Sequence, residues 1–337
     1  MTPPPAGPSA SSRIDHAGGS RPGLVSIVVP ARLAAAEIGA ALDAIGRQSY
    51  RSWELIVVED GSADGTDRVV AEFARRCSDH RIRFVRHPQS LGPAAARNTA
   101  FTEARGAFIA LLDADDQWLP DHLEASLQRL EYESADIVYS STVMVDHQSG
   151  LPLGIWGPTA EDLARFPTTL LTRNFIVPSA TVFRRQVLDL VGGWPSELRW
   201  AEDACYWLAC VKAGVAFAHL PGVHCLYTKN RPAAATQQVA ATATSFAGVV
   251  ASFLADNPLG MTATEVRSMA AAIYRTAAVM HHKGRHTGDP SADPLAACRL
   301  AARAWRLSPL SRRHARLLVQ TAAAAVLAAC RSSRRAA

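Results

Sequence analysis

Cysteine and net charge are both scarce in this sequence, and each scarcity argues against a class of protein. Six cysteines, at positions 77, 205, 210, 225, 298 and 330, form no CxxC pair and no compact framework. This excludes a zinc ribbon and a disulfide scaffold, and predicts free thiols in a reducing, cytoplasmic compartment. With 35 Lys and Arg against 30 Asp and Glu, the balance is +5. So small an excess does not imply nucleic acid, though it suits anionic ligands. The first 23 residues are rich in Pro, Ser and Gly and lack an apolar h-region; they read as a flexible leader rather than a secretory signal. No GxGxxG follows the first apolar run, where Pro30 stands instead, which excludes a dinucleotide-binding hydride-transfer enzyme. No internal repeat is present.

What is there is enough for one large core and a smaller helical appendage: 337 residues, 48% of them hydrophobic. From Leu24 onward, short β-branched runs at 25–29, 55–58, 82–85, 108–112 and 137–145 alternate with helix-length stretches at 34–47, 66–76, 94–104 and 120–133. Continuous apolar runs bounded by turn residues are what strands buried on both faces look like. Strands separated by helices imply parallel pairing through right-handed crossovers. The pattern predicts an α/β domain over 24–231 with a mostly parallel, Rossmann-like central sheet flanked by helices. Residues 150–158 read as a loop, 174–183 as a returning strand, 184–191 and 202–214 as helices, and 215–220 as a strand ending at Pro221-Gly222. Residues 232–337, rich in Ala and Arg, read as a C-terminal helical region. Within it, 317–330 is a fourteen-residue run without charge, flanked by arginines. As a helix of roughly 21 Å it falls short of the ~30 Å hydrocarbon core. It is expected to pack as a terminal helix, with its basic flanks available for peripheral contact with a membrane surface.

Carboxylates gather where the strands end, the edge at which open α/β sheets bind ligands. The 55–58 run leads into Glu59-Asp60-Gly61-Ser62-Ala63-Asp64-Gly65-Thr66, and the 108–112 run into Asp113-Ala114-Asp115-Asp116. Asp64 fits a helix-capping role, whereas Asp60 at the strand tip is placed to accept from a nucleobase N–H or a ribose hydroxyl. In extended backbone Asp113 and Asp115 would share one side. Two hard oxygen ligands there suit Mg²⁺ or Mn²⁺, completed by waters and a substrate's phosphates. The competing, purely structural reading makes these aspartates solvated loop charges, with Asp116 capping a helix at Trp118. Glu202-Asp203 opens a later helix, where acids are ordinary dipole partners.

Taken in order, these residues resemble a family 2 glycosyltransferase of the GT-A fold. The resemblance runs over roughly residues 24–230. It rests on the strand ending at Pro30, on Val57-Val58-Glu59-Asp60-Gly61-Ser62, on Gly92–Asn98, on Asp113-Ala114-Asp115-Asp116-Gln117-Trp118, on Pro178-Ser179-Ala180, on Val191-Gly192-Gly193-Trp194, on Glu202-Asp203 and on Tyr227. It implies that Pro30, Glu59, Asp60, Arg97 and Asp113 surround a nucleotide-sugar donor, with Asp60 on the base. It further implies that Asp115, assisted by Asp113, holds the divalent metal on the diphosphate. Asp203 would be the base that deprotonates a hydroxyl of a glycan, glycolipid or small-molecule acceptor, supported by Glu202. The implied reaction is one inverting displacement, with UDP- or dTDP-linked sugars favoured through Asp60, in cell-surface polysaccharide or glycoconjugate synthesis. Departures from the family pattern are Ala31-Arg32-Leu33 where a Tyr-Asn pair usually stands, Glu59 in place of Asp, and Thr228 in place of an Arg, with Lys229 following. The absence of QxxRW speaks against a processive polymer synthase. Trp194 and Trp200 are candidates for acceptor contact, and His224 for a late metal ligand. Two other readings compete: a degenerate sugar-nucleotide-binding scaffold, and a haloacid dehalogenase-like phosphatase suggested by Leu111-Leu112-Asp113-Ala114-Asp115.

Overall fold

The computed structural model describes residues 21–77, 81–231, 238–309 and 311–336. The leader expected over 1–23 therefore lies outside the described residues up to position 20, and Arg21, Pro22 and Gly23 already belong to the first strand. The chain divides into two compact units. The first comprises the residues up to Phe166 together with Asn174–Lys229, and the second comprises Pro167–Arg173 and the residues from Asn230 on.

In the first unit the apolar runs become β1 (Arg21–Ala31), β2 (Trp53–Asp60), β3 (Ile82–His87) and β4 (Gly106–Leu111). They alternate with α1 (Ile38–Gly46), α2 (Thr66–Cys77) and α3 (Pro93–Glu103). The strands pair in parallel in the order β3-β2-β1-β4, as right-handed crossovers require. Ile27, Val29, Leu55 and Val57 are fully buried and pack with Ile38, Leu42 and Ile45 of α1, which is why these strands are apolar throughout. At the far end from the acids, buried Glu54 accepts from Ser26 Oγ at 2.7 Å and Arg105 N at 2.6 Å, with Arg83 Nη2 at 3.0 Å, tying β1, β2 and β3 to the residue that precedes β4.

Beyond β4 the sheet is mixed. β5 (Gln117–Trp118) is a two-residue strand, followed by α4 (His122–Tyr132), β6 (Ile137–Asp146), β7 (Pro152–Trp156), α5 (Ala160–Ala164), β8 (Thr181–Arg184), α6 (Gln186–Val191), α7 (Glu202–Lys212) and β9 (Phe217–Lys229). The full order is β3-β2-β1-β4-β8-β6-β9-β5, with β7 on β6. β6 and β9 are parallel, while β4–β8, β6–β8, β6–β7 and β5–β9 are antiparallel.

Three local expectations are corrected. The 150–158 stretch is not a loop throughout, because β7 forms a hairpin with β6; Pro152 starts this edge strand, where its missing N–H costs no ladder bond. The 174–183 stretch is a strand only from Thr181, since Pro178 opens a 3-10 turn over Pro178–Ala180. Strand β9 does not stop at Pro221-Gly222. A register shift against β6 between Ser140 and Ser141 absorbs the pair, with Gly222 at φ +94°, and pairing resumes to Lys229.

The second unit, as described, contains a 3-10 turn (Thr168–Leu171) and the helices α8 (Val239–Asp256), α9 (Ala263–Thr287), α10 (Pro294–Leu307) and α11 (Arg312–Ala336). α8, α10 and α11 each pack on α9. The expected terminal helix is α11, which buries Leu317 and Thr321 one turn apart. Among the described residues, the helix that is long and apolar enough to cross a membrane, by length and composition only, is α8.

Candidate active site

The sheet places three acidic stretches at the carboxyl ends of its strands, and local chemistry decides what each carboxylate can do. Glu59 and Asp60 end β2 on opposite faces. The carboxylate of Glu59, fully buried, accepts from Ser62 N at 2.5 Å, from Ser62 Oγ and from Arg86 Nε at 3.1 Å, closing its own turn. Asp60 accepts from His87 Nδ1 at 2.8 Å, Ser90 Oγ at 2.7 Å, Leu91 N at 2.8 Å and Gly92 N at 2.9 Å. Burial alone would raise its pKa, but these bonds outweigh it and hold the carboxyl below its ordinary value. A carboxylate offers about four lone-pair positions, so Asp60 is spent anchoring residues 87–92 in front of α3. A bond from Asp60 to a nucleobase would therefore have to displace or share one of these four donors. Asp64 acts as anticipated, accepting from Thr66 Oγ1 at 2.7 Å at the start of α2. It also takes Ala35 N at 2.9 Å, joining the loop after β1 to the loop after β2. Pro30, half-buried, closes β1 opposite Val58.

Asp113–Asp116 forms a turn closed by Asp116 N donating to Asp113 O at 3.0 Å. The stretch is therefore not extended, and the alternation argument for Asp113 and Asp115 does not apply. Both side chains stay part-exposed, whereas Asp116 is buried. Asp116 does not cap a helix: it accepts from Ser179 Oγ at 2.5 Å and from Thr228 N at 2.8 Å. Burial, then the charges of Asp115 and Asp113, push its pKa well up.

Glu202 and Asp203 begin α7 abruptly, after Ala201 in the left-handed region at φ +59°, a conformation that costs a non-glycine residue about 1–2 kcal/mol. Asp203 accepts from Asn174 Nδ2 at 2.7 Å and from Ala204 N at 2.7 Å. Burial raises its pKa against the opposing pull of the Ala204 bond. Burial and then the neighbouring Asp203 push Glu202 up to about 7, although Arg97 draws it down.

Arg97, on α3 and buried, joins these stretches. Its Nη2 donates to Asp113 Oδ1 at 2.5 Å, its Nη1 lies 3.7 Å from Glu202 Oε1, and its guanidinium sits 4.5 Å over the Trp194 ring. Trp194 is fixed in turn by Asn98, which takes Trp194 N at 2.7 Å and gives to Trp194 O at 2.8 Å. Trp194 is therefore buried beneath Arg97, which corrects its expected acceptor contact; Trp200 remains half-buried. His224 faces Asp121 Oδ1 and Pro221 O, each at 3.2 Å, rather than the acids. Tyr227 and Lys229 lie among them. Burial and then Asp116, Asp113 and Asp203 raise the Tyr227 phenol, and Lys229 Nζ sits 4.1 Å over its ring.

The structure thus gathers Arg97, Asp113, Glu202 and Asp203 in one charged cluster, with Asp115 and Asp116 in the adjoining turn. It turns Glu59 and Asp60 to loop-building. Sequence reasoning missed Asn174, the partner of Asp203, and the structural use of Ser179 and Thr228. Asn174 stands in an apolar stretch without any spacing signal. Among the described residues no three His, Cys, Asp or Glu side chains converge to hold an ion by themselves. Asp113 Oδ2, beside the Arg97-bound Oδ1, and the Asp115 carboxylate are hard oxygen donors, which fit Mg²⁺ or Mn²⁺ completed by a ligand's phosphates.

Comparison with known proteins agrees with this arrangement. The family model for glycosyl transferase family 2 matches residues 26–192. Over 126 residues the chain is 36% identical to the UDP-Glc:alpha-D-GlcNAc-diphosphoundecaprenol beta-1,3-glucosyltransferase WfgD of Escherichia coli, covering 37% of this chain and 48% of WfgD. It is 31% identical over 193 residues to TuaG of Bacillus subtilis (strain 168), by name a teichuronic acid biosynthesis glycosyltransferase, covering 57% of this chain and 73% of TuaG. The chain thus spans about half the length of one relative and nearly three quarters of the other. The fold matches S. aureus TarS 1-349 in complex with UDP-GlcNAc with a TM-score of 0.63 at 16% identity, over 88% of each chain. A sheet of this GT-A type, the ordered acidic stretches and these matches together establish that the chain belongs to glycosyl transferase family 2.

Proposed function

We propose that this chain transfers a sugar from a nucleoside-diphosphate sugar to a hydroxyl acceptor, with inversion and with Mg²⁺ or Mn²⁺ on the donor's diphosphate. The observation that carries the reading is Arg97, which contacts Asp113 and Glu202 at once and so makes one site of stretches 105 residues apart (202 − 97). Asp115 and Asp113 would hold the cation, which when bound supplies Lewis-acid stabilisation to the leaving diphosphate. Asp203, pinned by Asn174, takes the proton of the acceptor hydroxyl at a carboxylate oxygen. A carboxyl whose pKa is raised by burial is a stronger base than an ordinary aspartate. The acceptor oxygen bonds to the anomeric carbon as the bond to the diphosphate breaks, and the nucleoside diphosphate leaves. Glu202 steadies the acceptor side, and Arg97 keeps the charges of both acid pairs compatible in a buried place.

A pyrimidine donor such as a UDP- or dTDP-sugar is the reading favoured here, and the UDP-glucose in the name of WfgD and the UDP-GlcNAc bound to TarS support UDP. The names of WfgD and TuaG support a glycan or glycolipid acceptor in polysaccharide assembly, and the place proposed for the reaction is the cytoplasmic face of a membrane. Exposed Arg312, Arg313 and Arg316 on α11 would favour peripheral contact with anionic lipid there. The test is a panel of UDP-, dTDP- and GDP-sugars with Mn²⁺, reading released nucleoside diphosphate. Release from the pyrimidine donors is expected. Metal-dependent binding of nucleoside diphosphates without release from any donor would make the protein a sugar-nucleotide-binding scaffold instead.

A further inference from the structure

The turn that carries Asp113 and Asp115 is fixed by residues that do not belong to the reacting set. Ser179 is fully buried on the 3-10 turn over Pro178–Ala180, and its Oγ accepts from Asp113 N at 3.0 Å while donating to Asp116 Oδ2 at 2.5 Å. Its main-chain oxygen takes the indole N–H of buried Trp118 at 2.6 Å, just past the turn. From the opposite side β9 grips the same turn twice: Thr228 N donates to Asp116 Oδ1 at 2.8 Å, and Thr228 Oγ1 donates to Asp115 O. Both ends of the turn and both oxygens of Asp116 are thereby bonded to segments 63 and 112 residues away. A turn of four residues carrying three like charges has no reason to adopt one shape by itself. Here its shape is imposed from outside.

We propose that Ser179, Asp116 and Thr228 act as positioning residues, a clamp that aims the Asp113 and Asp115 carboxylates at a common cation. This rests on the reading that those two aspartates hold the metal. Groups that orient metal-binding side chains without touching the ion are worth ~10–100-fold in metal affinity. Each clamp bond can be removed singly. Ser179→Ala deletes the hydroxyl that links Asp113 N to Asp116. Thr228→Val deletes the bond to Asp115 O, keeps the side-chain shape, and leaves Thr228's backbone bond to Asp116 intact. Asp116→Asn keeps the side-chain shape and the bond from residue 228 N, and its amide can donate to the second lone pair of Ser179 Oγ, but the Ser179 hydroxyl then loses Asp116 as the acceptor of its own proton.

The experiment measures Mn²⁺ affinity of the full chain in the presence of UDP, by loss of the free-ion signal in electron paramagnetic resonance, beside thermal unfolding of each variant without metal. Ser179→Ala and Thr228→Val are expected to weaken Mn²⁺ binding ~10-fold or more, and Asp116→Asn, which keeps the side-chain shape, is expected to weaken it less than either. Thr228→Val decides alone if Ser179→Ala does not fold. Wild-type Mn²⁺ affinity in a folded Thr228→Val or Ser179→Ala would overturn the clamp and leave the metal assignment standing. Failure of the wild-type chain itself to bind Mn²⁺ with UDP would overturn the metal assignment and the clamp with it.

Discussion

Replacing Glu202 by Gln should make the protein more heat-stable at alkaline pH, and less so in acid. The side chain of Glu202 is only 17% exposed. Burial first, and the Asp203 charge next, move its pKa from 4.5 to about 7, against the opposing pull of Arg97. A folded-state pKa above the unfolded one means that the folded chain holds the proton more tightly. The contribution of this group to stability is therefore greatest below about pH 4.5 and is lost as pH rises through about 7. The gap between 4.5 and about 7, at ~1.4 kcal/mol per pH unit, amounts to roughly 3 kcal/mol. Because Glu202 and Asp203 titrate together, that figure belongs to the pair. Glutamine keeps the shape of the protonated acid and cannot ionise. For a unit of this size 1 kcal/mol moves Tm by ~2–4 °C, so the variant should melt ~6–12 °C above wild type at pH 8 and only ~2–4 °C above it at pH 5. Differential scanning fluorimetry across that range is sufficient. Equal shifts at both pH values would refute the claim that these acids share a desolvated site.

Other perturbations probe the rest of the cluster. Arg97→Met should cost ~3–5 kcal/mol by leaving Asp113 and Glu202 without their cation. Arg97→Lys should recover only part of this, because one ammonium cannot reach both acids; chemical unfolding gives the comparison. Asp60→Ala should destabilise by ~3 kcal/mol or more at neutral pH, since four donors lose a charged acceptor. The wild-type advantage should shrink as pH falls through the lowered pKa of Asp60, below its ordinary 3.8, which urea titrations at two pH values will resolve. Gly61→Ala should also disorder the 87–92 segment. Gly61 sits at φ +66°, and an added Cβ would lie 2.4 Å from Gln89 C and 2.5 Å from Ser90 N; faster hydrogen exchange at 87–92 is the expected readout.

Legibility in the sequence followed the physics of each feature. β1 to β4 were plain because strands covered on both faces must be apolar along their whole length, and the acids were plain because they interrupt such runs at the sheet edge. β7 and the far half of β9 were not. Their Pro and Gly residues are turn formers in general, and only pairing with β6 makes them an edge strand and a bulge. The same limit applied at Asp60: the sequence places a carboxylate at a strand tip, but only the folded chain brings His87, Ser90, Leu91 and Gly92 around it. Asn174, Ser179 and Thr228 are neutral residues whose importance lies wholly in what they touch. Arg97 was singled out by its place in a motif. Its contact with both acid pairs depends on how α3 lies against Trp194.

If acids from distant stretches form one transferring site, Asp203→Asn must uncouple binding from transfer. With Mn²⁺, a productive donor and acceptor present, the variant should bind UDP as the wild type does while transfer falls ~10²–10⁴-fold, the usual contribution of a general base. Undiminished turnover by a folded Asp203→Asn protein would contradict that single site.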